Sequence, residues 1–465
     1  MSDIKLEIKD IGPINKANIN LGKLNIIGGQ NGSGKSTSSR LLYCFLYAAS
    51  PQGNEMFDDM IKSNIHIIGR FLSDGIIAEI GQTVINREDG GKFELNEDEI
   101  RKVNAIRAEI DKRFKNNTKS IRELLQLWYD LIDDLNFEGK DFYYNFLNKM
   151  YNQTDDMHNK SKFLNVLANL YQREFGYHPF KDTFESGTVC FSGKLDDENK
   201  HYKWTLYVGE DKSQDDELEN NIDPEVLGNV TYMDTISPLE TLRFADSLRL
   251  PHHFRVLFEK LKDKSKVNEE YGEDFNYKLN KFQDKITHLI NGKFKYASND
   301  FDMDEHTIVI DGSKVDGFVF YRNDVPFNMK NSSSGSKQIG SIQMLLDNKQ
   351  LCENDFLIID EPEVNLHPEW QIEFAELIVK LVNDLNITVY INSHSPQFIE
   401  ALEVFSVKYE IDDDTHFYIT VKNENNDKFD FKEIYYSNIG EFYQTLAKPY
   451  DTINEIRLEN NLKDL

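Results

Sequence analysis

Short apolar runs alternate along the chain with stretches that carry apolar residues at helical spacing, which is the pattern of a mixed α/β protein. Near the amino terminus, residues 4–8 and 17–21 alternate between apolar and polar side chains, and residues 24–27 form a mostly apolar run. These patterns predict strands, and the apolar stripe after them predicts a helix over residues 36–46. Further strands are predicted at residues 66–71, 75–80, 188–192, 203–208, 230–233, 306–310, 317–321, 387–391 and 415–421.

Two stretches have helical periodicity over much greater lengths. Residues 98–177 carry apolar side chains three and four positions apart, such as Ile121, Leu124 and Trp128, and residues 239–290 form the second stretch. The first stretch is long enough for a hairpin or a small bundle but not for a long coiled-coil arm. We therefore predict two helical insertions in a protein built around a sheet.

Composition narrows the functional classes. The 465 residues carry a formal net charge of −27, which argues against non-specific binding of nucleic acid over the whole surface and leaves only a local patch for such contact. Three cysteines lie far apart and form no metal-binding pair, which indicates a reducing, cytoplasmic setting. The chain starts without a secretion leader and has no run of about 18 apolar residues, so we expect a soluble protein with no membrane contact.

A glycine-rich loop between the strand at 24–27 and the helix at 36–46 carries the first chemical motif. It reads Gly-Gln-Asn-Gly-Ser-Gly-Lys-Ser-Thr and fills every fixed position of the phosphate-binding loop. Backbone N–H groups of such a loop surround the β-phosphate, its lysine neutralises phosphate charge and its serine hydroxyl ligates Mg²⁺. The predicted phosphate ligands are Gly29, Asn31, Gly32, Ser33, Gly34, Lys35, Ser36 and Thr37, with Ser36 also at the Mg²⁺.

A second motif lies at the end of the apolar run 356–359, which predicts a buried strand. The strand ends in Asp360, suited to the Mg²⁺ coordination sphere, and Glu361, suited to polarising the water that attacks the terminal phosphate. The next predicted strand, 387–391, is followed by Asn-Ser-His-Ser-Pro, which puts His394 at the edge where open α/β sheets bind ligands. We predict Glu361 and His394 as catalytic residues and Asp360 as a Mg²⁺ ligand.

A serine-rich loop precedes the second motif. Residues 331–338 read Asn-Ser-Ser-Ser-Gly-Ser-Lys-Gln, and the apolar stripe over residues 339–346 predicts a helix after them. Backbone N–H groups at the start of a helix attract anions, although any serine-rich helix cap has the same sequence pattern. Taken alone, this loop fits a phosphate site and an ordinary helix cap equally well.

In this order, the motifs resemble those of the ATP-binding-cassette (ABC) class of ATPases. The Ser-Ser-Gly-x-Lys-Gln loop, Asp-Glu-Pro-Glu followed by Leu-His-Pro, and Ser-His-Ser-Pro are similar to one branch of that class. The branch includes SMC-like and OLD-like AAA family ATPases and the ATPase subunits of the bacterial anti-phage systems PARIS and Septu. The resemblance covers about residues 1–95, 185–240 and 285–405. It implies an α/β, ABC-type P-loop fold with a mixed central sheet, an antiparallel β subdomain and helical insertions, and it implies ATP and Mg²⁺ as cofactors.

The resemblance also implies a mechanism that needs two copies of the chain. In the ABC class, a Leu-Ser-Gly-Gly loop of one subunit closes over ATP held by the phosphate loop of the other, so that ATP joins a homodimer or higher oligomer head to tail. This chain has serines at the first and third positions of that loop, and the resemblance implies that Ser333, Ser334 and Gly335 act in trans. His394 would sense the terminal phosphate, and residues 365–367 would connect the two sites. The class also has a Gln loop at the Mg²⁺, but no glutamine follows the predicted strand at 230–233.

The motifs and insertions together predict the domain organisation. The ATPase domain comprises residues 1–97 with the phosphate loop, 181–238, and 291–405 with the serine-rich loop, the acidic pair and His394; the helical insertions are 98–180 and 239–290, and a strand and helix extension spans 406–465. The Toprim nuclease domain of OLD-like proteins needs about a hundred residues, more than the extension offers. We therefore expect any effector, such as a nuclease, to be a separate protein.

Different functions remain open from the sequence. The first is an ATPase that assembles around ATP and regulates a separate nuclease in anti-phage defence. The second is a SMC/RecF-like DNA-repair ATPase whose closed dimer clamps nucleic acid. A basic groove on the ATP-bound dimer would favour this hypothesis. The third, the nucleotide-binding subunit of a transporter, fits less well because such subunits lack two large helical insertions.

Overall fold

The computed structural model describes residues 4–85, 97–115, 121–134, 140–148, 162–176, 187–194, 201–208, 228–234, 250–264, 272–297, 308–310, 313–315, 317–323, 325–328, 332–445 and 453–457. The chain divides into two compact units. The larger unit comprises residues 1–52 and 167–465, and the smaller one comprises residues 53–166.

Strands and helices follow one another along the chain in the mixed order that the sequence predicts. The strands are β1 (Lys5–Ile11), β2 (Ile14–Asn20), β3 (Leu24–Gly28), β4 (Gly187–Lys194), β5 (His201–Val208), β6 (Val230–Met233), β7 (Lys293–Ala297), β8 (Ile308–Ile310), β9 (Ser313–Val315), β10 (Gly317–Arg322), β11 (Val325–Asn328), β12 (Phe356–Asp360), β13 (Thr388–Ser393), β14 (Thr415–Lys422) and β15 (Phe429–Ile434). The helices are α1 (Lys35–Ala49), α2 (Pro51–Ile85), α3 (Glu97–Lys115), α4 (Ile121–Asp134), α5 (140–148), α6 (Lys162–Phe175), α7 (His252–Lys262), α8 (Glu273–Ile290), α9 (Ser334–Asp347), α10 (Pro368–Leu385), α11 (Pro396–Lys408), α12 (439–445) and α13 (453–457).

One mixed sheet forms the centre of the larger unit. Its ten described strands run in the order β5-β4-β1-β2-β15-β14-β3-β13-β12-β6. Strands β14, β3, β13, β12 and β6 pair in parallel, whereas β1, β2, β4 and β5 pair antiparallel. Strands β3, β12, β13 and β6 are buried along their whole length, because helices cover a parallel sheet on both faces. The carboxyl ends of these strands meet at one edge, where parallel α/β sheets bind ligands.

A separate three-stranded antiparallel sheet, in the order β11-β10-β7, lies in the same unit. Its core residues Phe294, Phe318 and Phe320 belong to the main apolar core together with residues of α8, α9 and α10. The predicted α/β class, with a mixed central sheet, an antiparallel subdomain and helical segments, is confirmed.

The smaller unit is helical throughout its described part. Helices α2 to α5 pack around a core of Leu72, Ile76, Val103, Trp128, Leu131, Ile132, Tyr143 and Leu147. The strands predicted at residues 66–71 and 75–80 are wrong, since both lie within α2. Short apolar runs do not distinguish a strand from a buried helix by themselves, and the spacing of the buried residues Leu72 and Ile76 is that of a helix.

Most other predictions of elements hold within the described residues. Helix α1 and the strands predicted at 188–192, 203–208, 230–233, 317–321, 387–391 and 415–421 are confirmed as β4, β5, β6, β10, β13 and β14. Parts of both predicted helical insertions, including residues 149–161 and 235–249, lie outside the described residues. No described helix is long and apolar enough to span a bilayer.

Candidate nucleotide-binding site

The phosphate loop, residues 29–37, leaves the carboxyl end of β3 and enters α1. Gly29, Gly32 and Gly34 have φ angles of 152°, 77° and 95°, which side-chain-bearing residues rarely adopt, so the glycines are required by the turn itself. Helix α1 begins at Lys35. Its first N–H groups and its dipole therefore face the loop, as expected of a site for phosphate.

Lys35 folds back over the phosphate loop. Its Nζ donates hydrogen bonds to the carbonyl oxygens of Gly29, at 2.8 Å, and Gln30, at 2.9 Å. Burial lowers the pKa of Lys35, and the carboxylates of Glu361 and Asp360 oppose that decrease. The structure thus brings the predicted phosphate ligand and the predicted acidic pair into one electrostatic environment.

Residues near the carboxyl terminus pack against the phosphate loop and the strand that precedes it, a contact that the sequence did not predict. Strand β14 lies beside β3, and the Thr420 hydroxyl donates a 2.8 Å hydrogen bond to Ser33 Oγ. A Cβ atom at Gly28 would lie 2.3 Å from the Phe442 ring, so the glycine is needed for this packing. Neither Thr420 nor Phe442 belongs to a motif, because both act through strand order rather than local sequence.

Both carboxylate oxygens of Asp360 are held by neighbouring strands. Asn392 Nδ2 donates to Oδ1 at 3.0 Å, and the Tyr232 hydroxyl donates to Oδ2 at 3.3 Å. Asn392 Nδ2 and the Tyr232 hydroxyl also bond to Ser39 Oγ on α1, each at 2.9 Å. These four side chains close a buried ring of hydrogen bonds that fixes Asp360 relative to the helix that follows the phosphate loop.

Glu361, the residue after β12, has an unusual backbone conformation. Its φ of 50° lies in the left-handed region, and its N–H donates to the carbonyl of Asn392 at 2.9 Å. Burial raises the pKa of the Glu361 carboxyl, Asp360 adds to the rise, and His394 and Lys35 oppose it. A carboxylate with a raised pKa is a stronger proton acceptor, which suits a general base.

His394 lies next to Glu361, so the two residues predicted as catalytic are neighbours in the structure. Its Nδ1 lies 3.7 Å from Glu361 Oε1 and 3.4 Å from Glu363 Oε1. The imidazole is 42% exposed and Glu361 27%, so both side chains are accessible from solvent. The carboxyl ends of β12 and β13 therefore bring Asp360, Glu361 and His394 together.

The serine loop, residues 332–336, lies at the start of α9. Ser333 caps the helix: its Oγ accepts a hydrogen bond from the Ser336 N–H at 3.2 Å, and Ser333 and Ser334 are exposed. Gly335 is buried, and a Cβ atom there would lie 2.5 Å from Leu366 Cδ2 and 2.9 Å from the Asn365 carbonyl. Gly335 thus packs against the loop that follows the acidic pair in its own chain.

A family model of the AAA ATPase domain matches residues 1–399. The chain belongs to this AAA ATPase family. Comparison with curated protein sequences found no match.

Solved structures similar to this AAA ATPase include heads of SMC proteins. One is the SMC head domain from Thermotoga maritima, with 10% identity, a TM-score of 0.34, and coverage of 92% of this chain and 98% of that chain. A second is an SmcHead bound to the C-winged helix domain of ScpA, with 12% identity, a TM-score of 0.35, and coverage of 95% and 99%. A third is the Smc head domain with an extended coiled coil bound to the C-terminal domain of ScpA from Pyrococcus furiosus, with 10% identity, a TM-score of 0.37, and coverage of 98% and 100%.

The AAA ATPase has an ionic cluster at the end of β6, next to the acidic pair. Strand β6 pairs in parallel with β12. Asp234 is the residue after β6, at the position where the ABC class has its Gln loop and this sequence has no glutamine. Asp234 Oδ2 lies 3.5 Å from Arg40 Nη2 on α1 and 3.5 Å from His253 Nε2 on α7. Both distances are those of ion pairs. Within the described residues, His253 Nε2 has no partner at the distance and angle of a normal hydrogen bond.

His253 is the centre of this cluster. Glu174 of α6 accepts from the His253 N–H at 2.8 Å and contacts His253 Nδ1 at 2.6 Å. Burial lowers the pKa of His253, but Asp234 and Glu174 outweigh burial, and the net pKa is raised. Four residues from separate segments thus meet beside this edge of the sheet, and no sequence pattern indicated them because no motif includes them.

The side chains of the AAA ATPase fit the magnesium ion that such domains use. Ser36 supplies a hydroxyl and Asp360 a carboxylate, oxygen donors that Mg²⁺ prefers, and the hydrogen bonds from Asn392 and Tyr232 fix the orientation of the carboxylate. In the described part of the chain no three His, Cys, Asp or Glu side chains form a metal-binding group. The usual Mg²⁺ site of nucleotide hydrolases combines few protein ligands with nucleotide phosphates. When bound, the ion would neutralise charge on the phosphates.

Proposed function

We propose that this AAA ATPase hydrolyses ATP at the edge formed by β3, β12 and β13. Lys35 neutralises phosphate charge, Glu361 accepts a proton from the attacking water, and His394 contacts the terminal phosphate. The observation that carries the proposal is the pairing of Glu361 with His394, 3.7 Å apart at the carboxyl ends of adjacent strands, within electrostatic reach of the buried Lys35. Gly29, Asn31, Gly32, Ser33, Gly34, Ser36 and Thr37 hold the phosphates in this proposal, with Mg²⁺ at Ser36 and Asp360.

The same proposal assigns the serine loop a role in trans. Ser333 and Ser334 are exposed at the N-terminus of α9, where backbone N–H groups and the helix dipole favour a phosphate from another molecule. Gly335 packs tightly on Asn365 and Leu366, so the serine loop is coupled to the loop behind Glu361. Two chains therefore assemble head to tail around ATP, and closure of the dimer is linked to the acidic pair.

The biological role proposed for this assembly is control of a separate effector, a nuclease, in cytoplasmic anti-phage defence. Its support is the resemblance of the serine loop, the Asp-Glu-Pro-Glu run and the Ser-His-Ser-Pro run to ATPases of such systems. The alternative is a closed dimer that clamps DNA, and it predicts ATP-dependent binding of duplex DNA by the Glu361→Gln variant.

Native mass spectrometry of Glu361→Gln with ATP and Mg²⁺ tests the proposal. Loss of the base should stop hydrolysis but not binding, so the variant should accumulate as a dimer that retains ATP. Lys35→Ala should remain monomeric without bound ATP, and Glu373→Gln, an exposed charge change on α10, should behave as wild type. A Glu361→Gln variant that stays monomeric with ATP bound would refute assembly around ATP, and one that hydrolyses ATP at the wild-type rate would refute the role of Glu361.

A further inference from the structure

Glu363 is a buried acid that the ATPase mechanism described above does not use. It lies two residues beyond Glu361, and its side chain is only 3% exposed. It contributes to the electrostatic environment of both Lys35 and Glu361. Because a buried charge is unfavourable unless it is compensated, the position of this carboxylate needs an explanation.

One oxygen of Glu363 holds the turn that carries His394. Oε1 accepts hydrogen bonds from Ser393 Oγ at 2.7 Å, from the His394 N–H at 2.9 Å and from the Ser395 N–H at 3.1 Å. Ser393 Oγ in turn accepts from the Ser395 N–H at 3.1 Å. The backbone between β13 and α11 is therefore fixed by a single carboxylate oxygen from the strand-end loop of β12.

The residues after Asp360 form turns that position Oε1 of Glu363. Val364 N–H donates to the Glu361 carbonyl at 3.2 Å, Leu366 N–H donates to the Glu363 carbonyl at 3.1 Å, and Asn365 has a φ of 65°. These tight turns place the Glu363 side chain against β13. Glu363 thus connects the acidic-pair loop to the turn of His394 within one chain.

The same oxygen also faces the imidazole of His394. Oε1 of Glu363 lies 3.4 Å from Nδ1, and Oε1 of Glu361 lies 3.7 Å from it. Carboxylate oxygens accept hydrogen bonds, so these two contacts favour a proton on the nitrogen that faces them. Nε2, on the opposite side of the ring, is then turned away from both acids.

The other oxygen of Glu363 strengthens the case for a functional role. Oε2 is buried and has no hydrogen-bond partner within the described residues. A carboxylate held in this state is unfavourable for folding, and such groups in native proteins commonly serve a purpose beyond stability. An acceptor oxygen at this position satisfies the turn, and the same oxygen favours a proton on His394 Nδ1.

We propose that Glu363 is a positioning residue of the ATPase site: it anchors the Ser393–Ser395 turn and sets the tautomer of His394, so that Nε2 is presented to the terminal phosphate of ATP. The proposal rests on the proposed function for the role of His394. It assigns a role to the second glutamate of the Asp-Glu-Pro-Glu run, for which the sequence analysis proposed none.

The first test reads the tautomer directly, without nucleotide. A long-range ¹H–¹⁵N correlation spectrum of the histidine-labelled protein at about pH 8, above the ordinary imidazole pKa, should show His394 with a protonated Nδ1. Its signals are identified as those missing in His394→Ala. In Glu363→Ala they should shift toward the Nε2-protonated form, whereas in Glu363→Gln, which keeps an acceptor oxygen, they should stay close to wild type. An unchanged tautomer in Glu363→Ala would overturn the proposal.

The second test measures ATP hydrolysis and the binding of a fluorescent ATP analogue separately. Glu363→Ala should lower kcat about 10- to 100-fold, the usual effect of losing a partner that orients a functional histidine, with Kd for the analogue within about twofold of wild type. Glu363→Gln should recover most of kcat. In the double variant Glu363→Ala/His394→Ala, kcat should be no lower than in the slower single variant, because Glu363 acts through His394. Additive losses, or equal changes in kcat and in Kd, would overturn the proposal.

Control variants distinguish the loss of the positioning role of Glu363 from misfolding and from a wild-type chain without ATPase activity. Glu373→Gln, the exposed matched change on α10, should leave every readout unchanged. If Glu363→Ala does not fold, Ser393→Ala removes one donor to Oε1 and should lower kcat several-fold without changing Kd; an unchanged kcat would count against the proposal. If the wild-type chain hydrolyses no ATP, the proposed function fails, and the tautomer measurement still decides the role of Glu363.

Discussion

Thr420 Oγ1 donates a 2.8 Å hydrogen bond to Ser33 Oγ, which joins a strand near the carboxyl terminus to the phosphate loop. Thr420 also packs closely against the backbone of the loop, because a Cβ atom at Gly29 would lie 1.8 Å from Thr420 Oγ1. Strand β14 thus contacts the predicted phosphate loop directly. Any movement of β14 relative to β3 would change the shape of the loop that holds the phosphates.

Thr420→Val should weaken ATP binding while keeping the shape of the side chain. The lost hydrogen bond is worth about 0.5–1.5 kcal/mol, so we expect Kd for ATP, measured by calorimetry, to rise about 2- to 10-fold. Thr415→Val on the same strand is the matched control, because its hydroxyl bonds to the nearby Ile411 carbonyl. Equal affinities of the two variants would show that the loop does not depend on Thr420.

Tyr232→Phe should change the magnesium dependence of the site. The hydroxyl of Tyr232 bonds to Asp360 and to Ser39, so its removal frees one oxygen of the predicted Mg²⁺ ligand from its orienting donor. We expect the Mg²⁺ concentration for half-maximal ATP hydrolysis to rise several-fold, with a loss of about 1–3 kcal/mol in the free energy of unfolding.

Tyr390→Phe provides the control for that change. Tyr390 lies on the neighbouring strand β13 and its hydroxyl bonds to Ser38 of the same helix, α1. Its removal should lower stability to a similar degree but leave the Mg²⁺ requirement unchanged. If both variants shift the Mg²⁺ requirement equally, the effect comes from packing of α1 and not from orientation of Asp360.

Glu174→Gln should destabilise the protein in a pH-dependent way. Although burial lowers the pKa of His253, Asp234 and Glu174 hold the net pKa above its value of about 6.5 in the unfolded chain. The stabilisation is therefore fully present below about pH 6.5 and is lost as pH rises through the raised folded pKa. Removing one partner of a buried pair costs about 3–5 kcal/mol, and we expect that loss at about pH 6 and a smaller one at about pH 9.

Urea unfolding of wild type and variant at both pH values measures this difference. Glu259→Gln is the control, since its carboxylate is 70% exposed and pairs with Lys262 at the surface of α7. A Glu174→Gln penalty that is constant with pH, or larger at high pH, would mean that His253 is neutral in the folded protein.

Gly335→Ala should disrupt the serine loop through its contact with the loop after the acidic pair. The added Cβ would lie 2.5 Å from Leu366 Cδ2 and 2.9 Å from the Asn365 carbonyl, so backbone must move. In a Glu361→Gln background we expect less ATP-dependent dimer by native mass spectrometry, and an unfolding free energy lower by about 1–3 kcal/mol. Gly440→Ala, where no atom lies within 4 Å, should be neutral or slightly stabilising; equal dimer yields for the two would refute the role of Gly335.

Local patterns predicted the chemically important segments well and one helix poorly. The phosphate loop and the acidic strand end were predictable because their chemistry requires fixed residue types at fixed spacing. Helix α2 was not, since its short apolar runs fit either element, and the core that includes Leu72 and Ile76 decided in favour of a helix. Asp234 carried no signal either, because its neighbours Arg40 and His253 come from distant segments.

Local sequence was enough to predict that a phosphate loop lies between a strand and a helix, that Asp360 ends a buried strand and Glu361 follows it, and that His394 follows another strand. Each of these depends on interactions within a few residues, which local sequence encodes. The tertiary structure was needed to show that β14 lies beside β3 with Thr420 bonded to Ser33, and that Glu363 reaches the turn of His394. Such contacts depend on strand order and on long-range packing, whose free energy is distributed over the whole core and leaves no local pattern.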